Sequence, residues 1–185
     1  MASPNAGPRI ALFRAVNVSG ANKVAMADLK AMFEDLGLGP ARTLQAAGSV
    51  VFHGPGADAA LEVLLESEAA SRLGLKSPVF VRDPAQWDAI IAHNPYPDAA
   101  RDAPNRLMVT PLKGRPTPEG VAALQASAQH GEQIAAWEAC AYFHYAGGVA
   151  DSKLTPKLIE RCLGHSGTAR NWNTTLKLAA MMAEG

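Results

Sequence analysis

Residues 9–37 read RIALFRAVNVSGANKVAMADLKAMFEDLG, and within this stretch the apolar pattern changes from that of a strand to that of a helix. Arg9 to Val16 is short, apolar and rich in Ile, Leu, Phe and Val, which predicts a strand. Residues 17–22 are polar and predict a turn. From about Ala25 to Leu36 the apolar residues recur at helical spacing, and Gly37 is placed to end the helix.

The elements that follow complete a first half. Arg42 to Gln45 and Ser49 to His53 predict two short strands around a turn. Asp58 is a suitable cap for a helix that Gly74 ends, and Ser77 to Arg82 predicts another strand. The resulting order, βαββαβ, is the split βαβ or ferredoxin-like arrangement.

The second half echoes this order and is predicted as βαββα with a final helix. Asp83 and Pro84 begin a helix that must end before Pro95, since proline disfavours helical geometry in the residue before it. The rigid turn at residues 94–97 is the candidate boundary between the halves. The other predicted elements are a strand at Arg106 to Leu112, a helix from Thr117, a hairpin of Glu132 to Trp137 and Ala141 to Tyr145, a helix from Thr155 to Gly164, and a helix from about Asn171 to Met182.

The predicted fold class is therefore α+β. Two ferredoxin-like halves, residues 1–82 and 83–185, carry antiparallel or mixed sheets packed by helices. A chain of 185 residues is one large domain or two small ones that share a core, and it is long enough to bury a substantial apolar interior.

Composition limits the classes of partner. Seventeen basic residues balance seventeen acidic ones, so no overall field draws the chain to DNA or to an anionic membrane, and any anion site must be local. The two cysteines, Cys140 and Cys162, have no CxxC spacing, which argues against a disulfide framework or a zinc site and fits a reducing compartment. No apolar run of about 18 residues predicts a membrane span, and the first ten residues lack the pattern of a signal peptide. We expect a cytoplasmic protein.

Three polar clusters are candidates for a ligand site, and the first follows the opening strand. It contains Arg14, Asn17, Ser19 and Lys23. Loops at strand ends are common ligand positions, and the amides at a helix start favour anions. Arg14 interrupts an apolar strand. The alternative for Asn17 and Ser19 is that they only shape a turn.

The second and third clusters lie in the other half. Ser152 and Lys153 follow a glycine pair, which lets backbone amides approach a ligand, and Lys153 is the first candidate for general acid or base work. Arg170, Asn171 and Asn173 stand at the predicted start of the final helix, where a carboxylate or phosphate could bind. The alternatives are a solvated lysine and local helix capping.

No complete catalytic or cofactor motif accompanies these clusters. The five histidines show no HxxxH or HxH spacing for a metal, and no Walker, GxSxG or GxGxxG motif is present. We therefore expect no metal and no cofactor.

Landmarks along nearly the whole chain resemble those of the DUF1697 family, a bacterial family of proteins of unknown function. The runs that carry the resemblance are LFRAVNVSG at 12–20, NKV at 22–24, MADL at 26–29, GSVVF at 48–52, NPYP at 94–97, SKL at 152–154, TARNWNT at 168–174 and KL at 177–178. The resemblance implies an α+β fold with ferredoxin-like halves and no established activity. The family usually shows LRGINVGG where this chain has FRAVNVSG at 13–20, and the serine and asparagine of its SGNVVF are Ala47 and Ser49 here.

The leading hypothesis is that cationic and amide side chains from both halves converge on one cleft that binds a small anion, such as a phosphorylated metabolite or a nucleotide. The residues proposed to converge are Arg14, Asn17, Lys23, Lys153, Arg170 and Asn173. The alternative is a non-catalytic interaction module. RNA binding is disfavoured by the neutral charge and by aromatics that make up only 6% of the chain, whereas a monomer and a homodimer both stay open.

Overall fold

A computed structural model describes residues 7–18, 20 and 22–185 of the chain. The described part divides into two compact units. The first unit comprises the described residues up to Asp88 together with Leu178–Gly185, and the second comprises Ala89–Lys177. Each unit contains one four-stranded antiparallel sheet, so the predicted α+β class is confirmed. The division into halves at residues 82 and 83 stays a prediction.

The first unit follows the element order expected from the sequence. Its elements are β1 (Pro8–Phe13), α1 (Met26–Asp35), β2 (Arg42–Leu44), β3 (Ser49–His53), α2 (Asp58–Leu73) and β4 (Val79–Arg82), and the first part of α3 (Pro84–Ala92) follows. The strands lie in the order β2-β3-β1-β4, and every neighbouring pair is antiparallel. The sheet thus places the first strand of the chain in its interior.

Helices α1 and α2 pack on one face of this sheet. The apolar side of α1 contributes Leu29 and Phe33, which are fully buried. Phe33 contacts Phe13 of β1 and Phe52 of β3, with ring centroids 6.2 and 5.0 Å apart. These buried rings fix the end of β1, from which the first candidate loop starts.

The second unit repeats the strand order of the first. Its elements after α3 are α4 (Pro97–Asp102), a 3₁₀ turn (Pro104–Arg106), β5 (Leu107–Pro111), α5 (Pro118–Ala126), β6 (Glu132–Trp137), β7 (Cys140–Tyr145), α6 (Pro156–Leu163), β8 (Arg170–Asn171) and the first part of α7 (Trp172–Ala183). The strands lie in the order β6-β7-β5-β8, again with every pair antiparallel. This order corresponds strand for strand to that of the first unit.

Three elements differ from the sequence-based prediction. β1 ends at Phe13 rather than Val16, so Arg14 follows the strand and does not interrupt it. Arg170 and Asn171 form the short strand β8 rather than the start of a helix, because they pair with Val109 and Met108 of β5. The second half is therefore βαββαβ followed by α7, not βαββα followed by a helix. In addition, the turn predicted at residues 94–97 leads directly into α4, which begins at Pro97 because proline is well suited to the first turn of a helix.

Helices α5 and α6 approach closely in the second unit. Gly120 lies inside α5, and a Cβ at this position would collide with the carbonyl group of Cys162 in α6. A glycine inside a helix usually costs stability, so here the missing side chain has a packing role. No helix in the described part of the chain combines the length and the apolar character needed to cross a membrane.

Side chains from helices cap the outer edges of both sheets. The backbone N–H groups of Val79 and Val81 in β4 donate to the carboxylates of Glu66 and Glu62 of α2, at 2.8 and 2.9 Å. In the second unit a single side chain of α5, Gln125, donates to the carbonyl of Glu132 at 2.9 Å and accepts from the N–H of Ile134 at 2.8 Å. These bonds satisfy edge groups that would otherwise be open to another strand.

Candidate functional site

The loop between β1 and α1 is anchored at its start by the edge strand. The backbone N–H of Arg14 donates to the carbonyl of Pro78 at 3.1 Å. The hydroxyl of Ser77 donates to the carbonyl of Arg14 at 2.5 Å. Arg14 itself is half-buried, so the loop leaves the sheet from a fixed position.

Asn17 closes this loop with both ends of its side-chain amide. Its Nδ2 group donates to the carbonyls of Val24 and Ala46, at 3.0 and 2.9 Å, and its Oδ1 atom accepts from the N–H of Val24 at 2.9 Å. These bonds tie the loop to the start of α1 and to the turn between β2 and β3. Asn17 therefore shapes the turn, which is the alternative to a role in ligand binding.

Three non-glycine residues in the described part of this loop adopt left-handed backbone conformations. The φ angles of Ala15, Asn17 and Asn22 are 53°, 56° and 49°. Asparagine tolerates this region, whereas for alanine the Cβ makes it unfavourable by roughly 1–2 kcal/mol. Such strain persists only where surrounding bonds hold the backbone, and it is common at functional sites. Here the bonds of Asn17 supply that restraint.

The loop ends at a helix start that no side chain caps. The N-cap residue of α1, Ala25, has φ −71° and ψ 135°, the geometry of a cap, but it offers no side-chain acceptor. Asp28 and Leu29 donate to the carbonyl of Ala25, which leaves the N–H groups of Met26 and Ala27 at the open end of the helix. This is where the positive end of the helix dipole lies.

Lys23 precedes this helix start and adds a positive charge to it. The side chain is exposed, and it makes no hydrogen bond or ion pair with any residue that the structure describes. Ser19, the fourth member of this predicted cluster, lies outside the described residues.

In the second unit, Ser152 is held by a buried carboxylate. Its hydroxyl donates to Oε1 of Glu132 at 2.5 Å and accepts from the backbone N–H of Leu154 at 3.2 Å. The other oxygen of Glu132, which is 3% exposed, accepts from the N–H of His130 at 2.8 Å. The bond from Ser152 holds the pKa of Glu132 below its usual value, although burial acts in the opposite direction. Ser152 therefore fixes the loop after β7.

The neighbouring Lys153 extends into solvent. Its ammonium group is exposed and has no hydrogen-bond or ion-pair partner within the described part of the chain. Gly148 nearby has a φ of 98°, which glycine adopts at little cost. The loop thus presents an unpaired cation on a backbone that Glu132 holds in place.

Arg170 is buried within the second unit, with 9% of its surface exposed. Its Nη1 group donates to the hydroxyl of Thr168 at 2.9 Å and to the carbonyl of Ala169 at 2.8 Å. Burial lowers the pKa of the Arg170 guanidinium to about 10, so it still carries its charge at neutral pH. These local bonds tie the guanidinium to the two residues that precede β8.

Asn171 and Asn173 serve the start of α7. Oδ1 of Asn171 accepts from the N–H of Thr174 at 2.9 Å, the bond of a helix cap. Nδ2 of Asn173 donates to Oδ1 of Asn105 at 3.0 Å. The capping alternative thus describes what Asn171 does in this structure.

Each unit therefore brings together the predicted residues that lie close in sequence. In the first unit these are Arg14, Asn17 and Lys23. In the second unit they form two groups, Ser152 with Lys153, and Arg170 with Asn171 and Asn173. The convergence of all these groups on one cleft stays a prediction. Within the described residues no three His, Cys, Asp or Glu side chains are grouped as metal ligands would be.

Sequence reasoning missed one aromatic cluster in the second unit. The imidazole of His93 stacks on the indole of Trp137, with ring centroids 3.9 Å apart and an angle of 12° between the planes. The ring of Tyr96 lies 6.1 Å from that of His144, which is hydrogen-bonded to Gln133 at 3.0 Å. The weak sequence signal for this cluster is Trp137, an aromatic residue at the end of β6, a strand that also carries the polar residues Glu132 and Gln133.

Comparison with known families adds an identity at the level of family. The model of the family described as "Protein of unknown function (DUF1697)" matches residues 7–142, more than half of the chain. The chain belongs to the DUF1697 family. No curated protein matches it.

A solved structure supports the fold of this DUF1697 member. The chain is similar to the conserved bacterial protein SP0830 from Streptococcus pneumoniae, with a TM-score of 0.71 and 21% identity. The match covers 95% of this chain and 98% of that chain. At this level of identity the likeness concerns the fold alone, and the function of the DUF1697 member remains unknown.

Proposed function

We propose that this DUF1697 member binds a small anionic ligand, phosphorylated or nucleotide-like, at the loop between β1 and α1 of its first unit. The observation that carries the proposal is the uncapped start of α1 beside the exposed Lys23. Free amide donors, the helix dipole and a nearby ammonium group together favour an anion at this position.

The hydrogen bonds of Asn17 support the proposal because they restrain the start of the loop. They tie Asn17 to Val24, next to the start of α1, and to Ala46. A ligand that binds a preformed loop does not have to supply the free energy of ordering it. Asp28 in the first turn of α1 opposes anion binding by its charge, so a monoanion or dianion contacting Lys23 is favoured over a larger polyanion.

Three finer expectations accompany the proposal. We infer that both units are ferredoxin-like, since antiparallel sheets of order β2-β3-β1-β4 and β6-β7-β5-β8 suit that arrangement. We also infer a cytoplasmic location. We also propose that Lys153, Arg170, Asn171 and Asn173 contribute to anion binding within the second unit, and any catalytic role for Lys153 is part of this proposal.

The decisive experiment changes the cap of α1. Ala25→Asp supplies a side-chain acceptor and a negative charge at a residue whose backbone already has cap geometry. We expect a stabilisation of about 1 kcal/mol in the absence of ligand, since N-cap substitutions have effects of this size. Phosphate, pyrophosphate and AMP should raise the melting temperature of the wild type and not that of the variant, because the new carboxylate occupies the anion position.

A matched pair of lysine variants provides the control. Lys23→Ala should remove most of the ligand-induced shift. Lys30→Ala removes the same charge from the same region, but Lys30 lies in the interior of α1 and pairs with Glu34 at 3.6 Å, so the shift should remain. Equal shifts in the wild type, Ala25→Asp and Lys23→Ala would show that the anion binds elsewhere.

A further inference from the structure

Gln125 caps the edge of β6 only as far as Ile134 and leaves the end of the strand uncapped. Gln125 binds the outward groups of Glu132 and Ile134. Outward groups alternate along an antiparallel strand, so Ala136, two residues beyond Ile134, also directs its N–H and C=O away from β7. Neither group has a hydrogen-bond partner among the residues that the structure describes.

A groove of about 720 Å³ opens at this position, between β6 and α5. Val121 and Ala122 of α5 form one wall, and Ile134 of β6 forms the other. Pro116 and Pro118 lie at the start of α5, and because proline has no N–H, neither can cap the carbonyl of Ala136. The groove thus combines an apolar interior with one open backbone donor and one open acceptor.

One side-chain pair defines the end of the groove. Trp137 lines it at the end of β6, while its indole lies on the opposite face of the strand from Ile134 and stacks on His93. Arg115 and Glu138 form an ion pair at 3.3 Å on the exposed rim. Because these two charges already compensate each other, the rim favours an uncharged occupant over a strongly charged one.

We propose that this groove binds an extended peptide segment of a partner protein. The residue opposite Ala136 would exchange two backbone hydrogen bonds with it, adding a short strand to the sheet. That residue's side chain would point to the same side as the side chain of Ala136, into the groove against Val121 and Ile134. It should therefore be aliphatic and have uncharged neighbours.

The size of the groove favours a peptide over a second copy of the chain. Ten residues line it, whereas a stable protein interface uses roughly 20–30 residues on each side. Only one residue of β6 offers open backbone groups, which suits a short segment and is insufficient for pairing of two whole strands. The inference is independent of the anion site, since it uses none of the same residues.

The test uses the uncharged peptide acetyl-Ser-Thr-Ile-Thr-Ser-amide and the ¹⁵N-labelled full-length protein. Saturable shifts are expected for the backbone amides of Ala136 and Trp137. Trp87 and Trp172, which are 0% and 7% exposed, serve as internal references and should not respond. The same peptide with an N-methyl group on isoleucine loses the donor to Ala136 and should bind about fivefold more weakly.

A protein variant provides a second, independent measurement. Ala136→Pro removes only the outward N–H, a change that edge strands tolerate, and should weaken binding about fivefold with little change in melting temperature. Gln133→Ala, on the same strand outside the groove, should bind as the wild type does. The proposal is overturned if Ala136 and Trp137 do not respond at millimolar peptide, or if the N-methyl peptide binds equally well. It is equally overturned if these signals shift with protein concentration alone, which would identify a second copy as the occupant.

Discussion

Individual backbone conformations explain why the loop between β1 and α1 has its present form. Asn17 makes three side-chain bonds that hold Val24 and Ala46, and two neighbours, Ala15 and Asn22, share its left-handed conformation. The family pattern has glycine at the position of Ala15, which a left-handed conformation favours. This member therefore retains a strained alanine where a glycine would be relaxed.

Ala15→Gly should consequently stabilise the protein by about 0.5–1 kcal/mol, since relief of the left-handed strain exceeds the entropy that glycine adds to the unfolded chain. Chemical denaturation at pH 7 measures the change in the free energy of unfolding. Ala27→Gly, inside α1, is the matched control, and it should destabilise the protein by up to about 1 kcal/mol. If both variants lose stability, the φ of Ala15 does not represent strain.

At the scale of elements, the bond between Ser152 and Glu132 joins the loop after β7 to the start of β6. The pKa of Glu132 is lower in the folded protein than in the unfolded chain, so the ionised carboxylate stabilises the fold. This stabilisation is complete above the pKa that Glu132 has in the unfolded chain. The contribution is lost as the pH falls through the folded value. We therefore expect the free energy of unfolding to decrease as the pH falls below about 4.5.

Ser152→Ala removes the main cause of the lowered pKa. At pH 7 it should cost about 1.5–3 kcal/mol, the range for a hydrogen bond to a charged group. The difference between variant and wild type should shrink as the pH falls below the usual pKa of a glutamate, because protonation of Glu132 removes the charge to which Ser152 donates. Ser127→Ala, whose hydroxyl donates to the carbonyl of Ala123, is the control and should show no such pH dependence. A cost for Ser152→Ala that is constant with pH would contradict the link to Glu132.

Element prediction from sequence succeeded where periodicity was strong and failed where an element was short. The apolar spacing of α1 and the run of β1 are visible in the sequence, because each buries one regular face. β8 has only two polar residues, and it becomes a strand through its pairing with β5, more than 60 residues away. The same limit applies to the site, since the bond from Asn17 to Ala46 spans 29 residues. The sequence therefore predicts a polar turn at Asn17, but it does not predict the residues to which the Asn17 side chain is hydrogen-bonded.

Across the whole molecule, all four sheet edges are protected against pairing with another chain. Glu62 and Glu66 cap β4, and Gln125 caps most of β6. β2 and β8 are protected by length, with three and two residues. Short strands and occupied edge groups are the usual means by which sheet proteins avoid aggregation. These features act against pairing at the sheet edges, whereas the outward N–H and C=O of Ala136 in β6 have no hydrogen-bond partner among the described residues.

Removing the caps of β4 should make the protein associate. The double variant Glu62→Ala/Glu66→Ala exposes the N–H groups of Val79 and Val81, and sedimentation velocity should show a weight-average mass that rises with concentration. Wild type should show no association that depends on this edge. The control Glu34→Ala/Glu68→Ala removes the same two charges, from residues that pair with Lys30 and Arg72 on helix surfaces, and should sediment as wild type does. A double variant that stays monomeric while losing stability would show that these carboxylates support β4 within its own sheet rather than shield its edge.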